Sequence, residues 1–368
     1  MTFTRSSSGE SSVRVAVIGA GMAGITCALT LARAGQHVTV FEKSRGYGGR
    51  MATRHTAFGG FDHGAQYFTV RDARFALAIQ TASEWVVPWS ANSVRVLDAL
   101  GHVLPSQAPR REAHYVAAPG MNALVRAWAQ PLADAGHVHL NTRVQRISPD
   151  PVKAGGWQLH TDDPTDAQAQ QVFGGFDRVL IATPHPQALG LLQASGLDQA
   201  NSIAQPLTQA LSVPTVAPCW TLMLAFPQAM QPDLPSFGPQ WNAARSTHHR
   251  ISWLARENSK PRREHIERWT VQASPAWSQE HVNDTPERVT AKLRRAFAEV
   301  TGIHAEPTHA EVHRWLYAQT QTPLGQAYVW EAAAGLGLCG DWCLGHRIEN
   351  AYLSGLELAQ ATLGKAAD

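Results

Sequence analysis

The chain has 368 residues, of which 44% are hydrophobic and 16% are charged, a balance typical of folded proteins rather than disordered ones. This length allows two domains, each with a substantial core. The formal net charge is only +2, so the sequence lacks the basic excess with which nucleic-acid-binding proteins neutralise phosphates. Arg-Arg pairs begin at Arg110, Arg262 and Arg294, and we expect all three on solvent-exposed faces.

The terminal segment and the cysteines indicate a soluble cytoplasmic protein. Residues 1–12 are polar and rich in serine, without the apolar core of a signal peptide, so we predict a disordered tail. No apolar run reaches transmembrane length, and we expect no membrane association. The four cysteines, Cys27, Cys219, Cys339 and Cys343, lack CxxC spacing and are expected to be reduced thiols, as in the cytoplasm.

A βαβ unit opens the chain. The apolar run VRVAVIG predicts a strand, the run MAGITCALTLARAG predicts a helix that ends at Gly35, and HVTVFE predicts the next strand. Gly19, Gly21 and Gly24 form a GxGxxG pattern between the first strand and the helix. This context predicts a dinucleotide site, with the phosphates at the helix N-terminus.

Glu42 ends the second predicted strand, where an acidic residue accepts hydrogen bonds from ribose hydroxyls and repels a 2′-phosphate. The position favours the adenosine half of NAD or FAD over NADP. The stretch KSRGYGGRM follows directly. A second glycine-rich loop with an arginine suits the longer FAD, because Gly48 and Gly49 give the cofactor close access and Arg50 can face its pyrophosphate.

The remaining elements indicate a second domain. In chain order, we predict a helix over 71–85, a hairpin turning near Gly101, a helix from Met121, a strand meander over 137–163 and a buried strand in FDRVLIATP. Between about residues 187 and 318, strand-like pieces rich in tryptophan alternate with one clear helix over 286–301, which indicates an antiparallel sheet. GLGLCGDW predicts a last core strand, and a closing helix is expected to begin at Asn350 and Ala351.

These elements predict an α/β fold of two domains. The FAD-binding domain, of Rossmann type, is expected to be discontinuous over residues 13–75, 130–186 and 325–368. The substrate domain, built on an antiparallel sheet, is expected over 76–129 and 187–324. No metal site is indicated, because Cys/His ligand spacing is absent and the adjacent His248 and His249 would point apart on a strand.

A family resemblance extends over nearly the whole chain from residue 13. The stretches FDHGAQYFTVRD, PGMNAL, WLARENSKP, HRWLYA, CGDW and NAYLSGLELA follow one another in the order found in the renalase-like branch of the amine-oxidase-fold flavoproteins. The chain resembles the bacterial renalase-like FAD-dependent oxidoreductases, and the glycine-rich loop that follows Glu42 matches the GG-containing loop of the larger fold family. The resemblance implies a two-domain FAD-binding fold similar to that of the amine oxidases and p-hydroxybenzoate hydroxylase.

The resemblance implies a cofactor site. Asp341 is expected to bond the ribityl or pyrophosphate region of FAD, and the helix N-terminus at Asn350 and Ala351 is expected to face the flavin N1/C2 edge. Val144 and Thr183 are expected beside the adenine and the cofactor, respectively. The full set of expected cofactor contacts is Gly19, Gly21, Met22, Ala23, Gly24, Glu42, Lys43, Gly49, Arg50, Met51, Gly64, Ala65, Gln66, Tyr67, Val144, Thr183, Gly340, Asp341, Asn350 and Ala351.

The substrate pocket is expected over the flavin, where Gln66 can bond a carboxamide and Tyr67 can stack. The further pocket candidates are Trp253, Asn258, Trp315 and Tyr317. His63 is interpreted as a packed side chain. Lys260 is similar to the lysine near flavin N5 in some amine oxidases, although the adjacent Pro261 weighs against equivalence.

The resemblance implies an oxidase of the 2- and 6-dihydro isomers, or α-anomers, of NAD(P)H, with noncovalent FAD. A hydride would pass to flavin N5, and O₂ would reoxidise the flavin to give H₂O₂. Its partners would be a small dinucleotide substrate and O₂, and no catalytic side chain is assigned because the cofactor carries the redox step. Three alternatives stay open: an FAD-dependent amine oxidase, an NAD-dependent dehydrogenase without flavin, and a non-catalytic flavin-binding sensor.

Overall fold

The computed structural model describes residues 12–89, 94–105, 112–162, 170–199, 202–230, 238–239 and 241–364. The tail predicted over residues 1–12 and the pair Arg110–Arg111 therefore lie almost wholly outside the described residues. The α-helices are α1 (Met22–Arg33), α2 (Ala73–Gln80), α3 (Asn122–Asp134), α4 (His185–Ala194), α5 (Gln205–Leu211), α6 (Pro275–Glu280), α7 (Pro286–Thr301), α8 (Asp341–Leu344) and α9 (Ile348–Thr362).

The strands alternate with these helices along the chain. They are β1 (Arg14–Ile18), β2 (His37–Phe41), β3 (Arg54–Thr56), β4 (Gly59–Phe61), β5 (Val86–Trp89), β6 (Val94–Leu97), β7 (His114–Ala117), β8 (Val138–His139), β9 (Val144–Pro149), β10 (Trp157–Asp162), β11 (Gln170–Phe176), β12 (Arg178–Ile181), β13 (Thr215–Phe226), β14 (Ala243–Ser246), β15 (Ile251–Arg256), β16 (Glu267–Ala273), β17 (His309–Thr322), β18 (Val329–Glu331) and β19 (Leu336–Leu338).

The first sheet has the strand order β18-β19-β12-β1-β2-β8. Its central strands are parallel, and their side chains are buried on both faces, as expected for apolar runs such as Val15–Ile18 and Val179–Ile181. Helices α1, α3 and α9 pack in one core, while α4, α5 and the β9–β11 meander enclose another. The C-terminal strands thus complete the sheet that the first strand begins.

The second sheet has the order β17-β13-β16-β15-β14-β6. Its pairs are antiparallel except β14–β6. Helix α7 covers one face, and tryptophans predicted for this region fill the layer between them, including Trp220, Trp241 and Trp269. The predicted hairpin is present, with Leu97 bridging Val103 across the turn at Gly101. The domain boundaries assigned from the sequence remain a prediction.

Three local predictions were wrong. Only one helix was predicted between about residues 187 and 318, so α4, α5 and α6 were missed; with 10, 7 and 6 residues they are too short to give a clear periodic pattern. The helix expected over 71–85 ends at Gln80. His248 and His249 do not point apart, because they lie in the turn between β14 and β15, where their ring centroids are 4.5 Å apart.

Candidate functional site

A cleft of about 2450 Å³ runs from the glycine turn after β1 to the strands of the second sheet. Every expected cofactor contact lines it except Gly24 and Asn350, and every further pocket candidate lines it except Asn258. The chain therefore brings its two glycine loops, its C-terminal strand end and the aromatic residues of the second sheet to one cavity.

The three glycines of the first turn have distinct roles. Gly19 has φ of 111°, and a Cβ there would lie 2.8 Å from the carbonyl oxygen of Ala182. A Cβ on Gly24 would lie 1.9 Å from the carbonyl oxygen of Gly19, so Gly24 serves close packing of α1 against the turn and is covered by it. A Cβ on Gly21 would meet nothing closer than 4.0 Å, and this glycine faces the cleft.

Glu42 stabilises the same turn from the end of β2. One carboxylate oxygen accepts a hydrogen bond from the backbone N–H of Ala20, and the other accepts one from the N–H of Ser44, both at 2.8 Å. Each carboxylate oxygen has a further lone pair. The buried carboxylate can thus order the loop and still accept hydrogen bonds from ribose hydroxyls in the cleft.

The second glycine loop lies directly on the first. The N–H of Gly48 donates to the carbonyl oxygen of Ala20 at 2.9 Å. Two residues later, the guanidinium of Arg50 donates to both carboxylate oxygens of Asp341, at 2.8 and 2.5 Å. The hydroxyl of Thr320 donates to Asp341 as well, at 3.2 Å. Asp341 begins α8 just after β19, so this ion pair joins the N-terminal and C-terminal parts of the cleft.

Residues 64–67, which were expected along the flavin, are held in place by backbone contacts with Arg50. The N–H of Ala65 donates to the carbonyl oxygen of Arg50 at 2.8 Å, and a Cβ on Gly64 would lie 2.0 Å from that same oxygen. Gln66 does not offer its amide to the cleft as expected, because Nε2 donates to the carbonyl oxygens of Asp62 and Gly64 while Oε1 accepts from Lys260.

The last helix begins at Ile348, two residues before the predicted start. Ala351 lines the cleft from its first turn. The side-chain amide of Asn350 instead donates to the carbonyl oxygens of Leu344 and Gly345, each at 3.2 Å. Asn350 therefore fixes the loop that precedes the helix and does not line the cleft.

Aromatic side chains line the opposite end. The ring of Tyr67 stacks on His114 with centroids 4.1 Å apart and lies 5.4 Å from the ring of Trp253. Trp315 donates from Nε1 to the carbonyl oxygen of His63 at 2.9 Å, and its ring lies 4.4 Å from that of His313. These rings form an aromatic part of the cleft lining.

His63 is packed, as interpreted from the sequence, between His313 and Trp315. Burial, with the nearby charges of His313 and Arg54, lowers its pKa to about 3. Burial also lowers the pKa of His114 and His313. The three imidazoles are therefore neutral at pH 7.

Lys260 lies beside the cleft in a closed ion cluster, which we define as Asp62, Glu257, Lys260 and Arg263. Lys260 Nζ is 3.0 Å from carboxylate oxygens of both Asp62 and Glu257, and Arg263 Nη2 is 2.7 Å from Asp62. All four side chains are buried. The expectation that the pair at Arg262 is solvent-exposed is thus wrong for Arg263, since the guanidinium is drawn inside by Asp62.

The pKa values of the two carboxyl groups in the ion cluster shift in opposite directions. Burial favours a higher pKa for Asp62, but Lys260, Arg263 and hydrogen bonds from Met121 and Thr53 together hold that pKa below its usual range. Burial raises the pKa of Glu257, and Lys260 only partly offsets it. Sequence reasoning missed Asp62, Glu257 and Arg263.

Asn258, a predicted pocket residue, lies next to this cluster in the chain and does not line the cleft. Its side-chain amide donates to Glu267 at 3.0 Å.

The cleft is strongly cationic. Within the described part of the chain, ten arginines and one lysine line it, against three carboxylates. All three carboxylates have partners: Glu42 binds backbone N–H groups, Glu112 binds Arg71 and Arg347, and Asp341 binds Arg50. The lining is therefore suited to anionic ligands although the whole chain is nearly neutral.

Over the described residues, the structure contains no group of three or more His, Cys, Asp or Glu side chains arranged to hold a metal ion. Across the same ranges, no helix combines the length and apolar character needed to cross a bilayer. The four cysteines are free thiols.

Two known proteins each match a part of this chain. A segment of 205 residues is 31% identical to the tRNA 5-methylaminomethyl-2-thiouridine biosynthesis bifunctional protein MnmC of Magnetococcus marinus, covering 46% of this chain and 29% of that protein. A segment of 59 residues is 44% identical to hydroxyneurosporene desaturase of Cereibacter sphaeroides, covering 16% of this chain and 12% of that enzyme. These matches thus span less than a third of each relative.

Solved structures match over almost the full length. A putative protoporphyrinogen oxidase from Exiguobacterium sp. 255-15 has a TM-score of 0.72 at 15% identity, covering 97% of this chain and 100% of that one. Wild-type putrescine oxidase bound to putrescine has a TM-score of 0.65 at 11% identity, covering 96% and 100%. At such identities the likeness concerns the fold, and it confirms the predicted α/β FAD-binding fold of the amine-oxidase type.

Two family models match the sequence itself. The NAD(P)-binding Rossmann-like domain matches residues 17–78, which include both glycine loops and Glu42. The flavin-containing amine oxidoreductase model matches residues 110–363, more than half of the chain, and family membership implies a flavin cofactor. The chain belongs to the family of flavin-containing amine oxidoreductases.

Proposed function

We propose that this protein is an FAD-dependent oxidase of the 2- and 6-dihydro isomers, or α-anomers, of NAD(P)H. The observation that carries the proposal is the size and charge of the cleft. Its volume of about 2450 Å³ is more than twice the ~300–1,000 Å³ of an ordinary ligand site. A cavity of this size can hold FAD and a second dinucleotide, and its cationic lining suits the phosphates of both.

The residues of the cleft fit FAD. Gly21 leaves open space at the N-terminus of α1 for a pyrophosphate, and Glu42 has lone pairs available for ribose. The Arg50–Asp341 ion pair fixes the second glycine loop beside that space. Bound FAD would supply the two-electron acceptor for the hydride, and O₂ with one proton from solvent would restore the oxidised flavin and give H₂O₂.

The chain's own contribution is binding and orientation. The aromatic group of Tyr67, His114 and Trp253 offers an apolar surface against which a dihydropyridine can pack. Trp315 and Gln272 donate hydrogen bonds to the carbonyl oxygens of His63 and Gly64, and these bonds hold that segment of the lining in place. A hydride transfer that makes an aromatic nicotinamide needs no strong general base. The lowered pKa values of His63, His114 and His313 are consistent with a site that transfers no proton through these imidazoles.

The FAD is proposed to be held noncovalently. Cys219 is the one cysteine of the four that lines the cleft, and burial raises its thiol pKa to about 11. A thiol that stays protonated at neutral pH is a weak nucleophile, so this residue is poorly suited to forming a covalent link to the flavin ring.

Amine oxidation is the second candidate, and the family model supports it. A cationic amine, however, would enter a cleft whose three carboxylates are already bound by other groups. This arrangement of charges favours the dinucleotide over an amine.

One anaerobic experiment separates these functions. The FAD-loaded protein is mixed in a stopped-flow instrument with 6-dihydroNAD, with β-NADH, and with a panel of amines that includes putrescine. The proposal expects rapid bleaching of the flavin by the 6-dihydro isomer alone, with NAD⁺ as the product. Bleaching by an amine alone would establish the amine oxidase instead, and a flavin that no donor reduces would favour a sensor.

A further inference from the structure

One row of side chains crosses the cleft face of the second sheet. Arg245 on β14 pairs with Trp253 on β15, Trp253 pairs with Gln272 on β16, and the row continues through Thr221 to His313 on β17. Directly paired residues of neighbouring strands point to the same face. The row therefore has a cation at one end, an aromatic ring next to it, and the His63 contact at the other end.

Gln272 and His313 both contact the segment of residues 63–64. Gln272 Nε2 donates to the carbonyl oxygen of Gly64 at 2.6 Å, and His313 packs on His63 with ring centroids 4.7 Å apart. Arg245 is different, because it is an exposed residue whose Nη2 donates to the hydroxyl oxygen of Tyr67, at 3.2 Å. Over the described ranges it forms no ion pair with a carboxylate.

The surroundings of Arg245 leave its charge available. Glu112 is the carboxylate that lines this end of the cleft, and it is already bound by Arg71 and Arg347. The neighbouring His114 is neutral, because burial lowers its pKa and the charge of Arg245 adds to that effect. A guanidinium has five N–H donors in a fork that matches phosphate, and one bond to Tyr67 leaves most of them unused.

We propose that Arg245 forms a phosphate subsite at the substrate end of the cleft, beside the rings of Tyr67 and Trp253 and separate from the glycine turns. The inference rests on the proposed function, since it assigns the ring of the nicotinamide half to the aromatic pair and its phosphate to Arg245. This subsite selects phosphorylated ligands and disfavours cationic amines by charge repulsion.

The test compares two ligands that differ by one phosphate. Nicotinamide mononucleotide and nicotinamide riboside are titrated into the FAD-loaded protein, and binding is followed through the flavin absorption spectrum. Wild type should bind the mononucleotide about tenfold tighter, as expected for a charge-assisted hydrogen bond. Arg245→Gln should bring the two affinities close together by weakening the mononucleotide alone.

Two control variants separate charge from structure. Arg250→Gln removes a positive charge from the adjacent turn, outside the cleft lining, and should keep the wild-type ratio. Tyr67→Phe removes the hydroxyl that Arg245 contacts but keeps the ring, and it should also keep the preference for the phosphate. Equal affinity of wild type for both ligands, failure of wild type to bind either, or a ratio that survives in Arg245→Gln would overturn the subsite.

The result is independent of the proposed activity. If no dihydronicotinamide bleaches the flavin but the phosphate preference depends on Arg245, the oxidase function is wrong and the subsite stands. If 6-dihydroNAD bleaches the flavin rapidly and Arg245→Gln keeps the wild-type ratio, the function stands and the subsite is wrong.

Discussion

Arg50 and Asp341 are 291 positions apart, yet they form a two-point ion pair at 2.8 and 2.5 Å beside the glycine turns. The Asp341 side chain is only 8% exposed and that of Arg50 is 28% exposed. The pair connects the loop after β2 to the start of α8, and so it fixes two of the surfaces that line the cleft.

Asp341→Asn should weaken flavin binding, because the amide keeps the size of the side chain but removes the charge that orders Arg50. Loss of a charge-assisted contact of about 1.5–3 kcal/mol corresponds to roughly a 10- to 150-fold higher Kd. Fluorescence titration of apoprotein with FAD measures it. Asp72→Asn is the matched control, since the Asp72–Arg74 ion pair lies outside the cleft, and it should leave the Kd unchanged. An unaltered Kd in Asp341→Asn would contradict the role assigned to this pair.

Two glycines of the first turn should respond differently to the same added methyl group. Gly24→Ala places a Cβ 1.9 Å from the carbonyl oxygen of Gly19 and should destabilise the apoprotein by at least about 1–3 kcal/mol through overpacking. Gly21→Ala meets no atom closer than 4.0 Å, so the apoprotein should keep its stability while FAD affinity falls. Denaturant unfolding and FAD titration of both variants measure the two effects. Equal loss of stability in the two variants would show that the roles are not separate.

Glu42→Ala should weaken FAD retention and loosen the turn. The substitution leaves the N–H groups of Ala20 and Ser44 without their acceptor. The loss costs about 1–3 kcal/mol at the buried Ala20 and less at the exposed Ser44, whose N–H can bond water. Glu42→Gln retains one acceptor oxygen and should be intermediate in both respects. Retention is measured by gel filtration followed by the flavin absorbance of the protein peak. If Glu42→Ala retains as much FAD as wild type, Glu42 does not belong to the cofactor site.

The parts of the fold that the sequence predicted are those set by local pattern. The strand, glycine turn and helix from Arg14 to Arg33 depend on neighbours a few positions apart, so periodicity and glycine spacing were sufficient to predict them. The position of Asp341 at the end of β19 followed from the same kind of pattern, and the motif order then placed it near FAD. Its partner Arg50 was predicted to face the pyrophosphate but not to bind Asp341.

The side chains that sequence reasoning misplaced are those fixed by distant contacts. Lys260 and Asp62 are 198 positions apart, and no periodicity indicates that they meet. Gln66 was expected to face the substrate, but Lys260 and two backbone carbonyl groups turn its amide inward. The positions of these side chains depend on which charged groups the tertiary fold buries together. A single sequence does not show which distant residues pair.

The ion cluster of Asp62, Glu257, Lys260 and Arg263 should depend on its charge balance. Lys260→Met leaves two carboxyl groups against one guanidinium and should destabilise the protein by about 3–5 kcal/mol. Adding Glu257→Gln to that variant leaves one carboxylate opposite one guanidinium. The double variant should therefore recover part of the lost free energy of unfolding. Denaturant unfolding of wild type, the single variant and the double variant measures this. A double variant less stable than Lys260→Met would mean that hydrogen bonding of Glu257, rather than its charge, maintains the cluster.

His63 couples the stability of the site to pH. Its side chain is buried, and among the described residues its Nδ1 has no hydrogen-bond partner. Burial, with the charges of His313 and Arg54, lowers its pKa to about 3, whereas a histidine in the unfolded chain titrates near ~6.5. Between these values the unfolded chain binds a proton that the folded protein does not. The free energy of unfolding therefore falls as the pH falls through this window.

His63→Phe should make the free energy of unfolding less dependent on pH, because it removes this difference in proton binding and keeps an aromatic ring against Trp315. A full proton corresponds to about 1.4 kcal/mol per pH unit, and the variant's slope between pH 6 and pH 4 should be shallower by about that amount. Denaturant unfolding of the apoprotein at half-unit pH steps measures the slope. His304→Gln, which changes an exposed histidine, is the control and should follow wild type. Parallel curves for wild type and His63→Phe would mean that His63 takes up its proton in the folded protein as readily as in the unfolded chain.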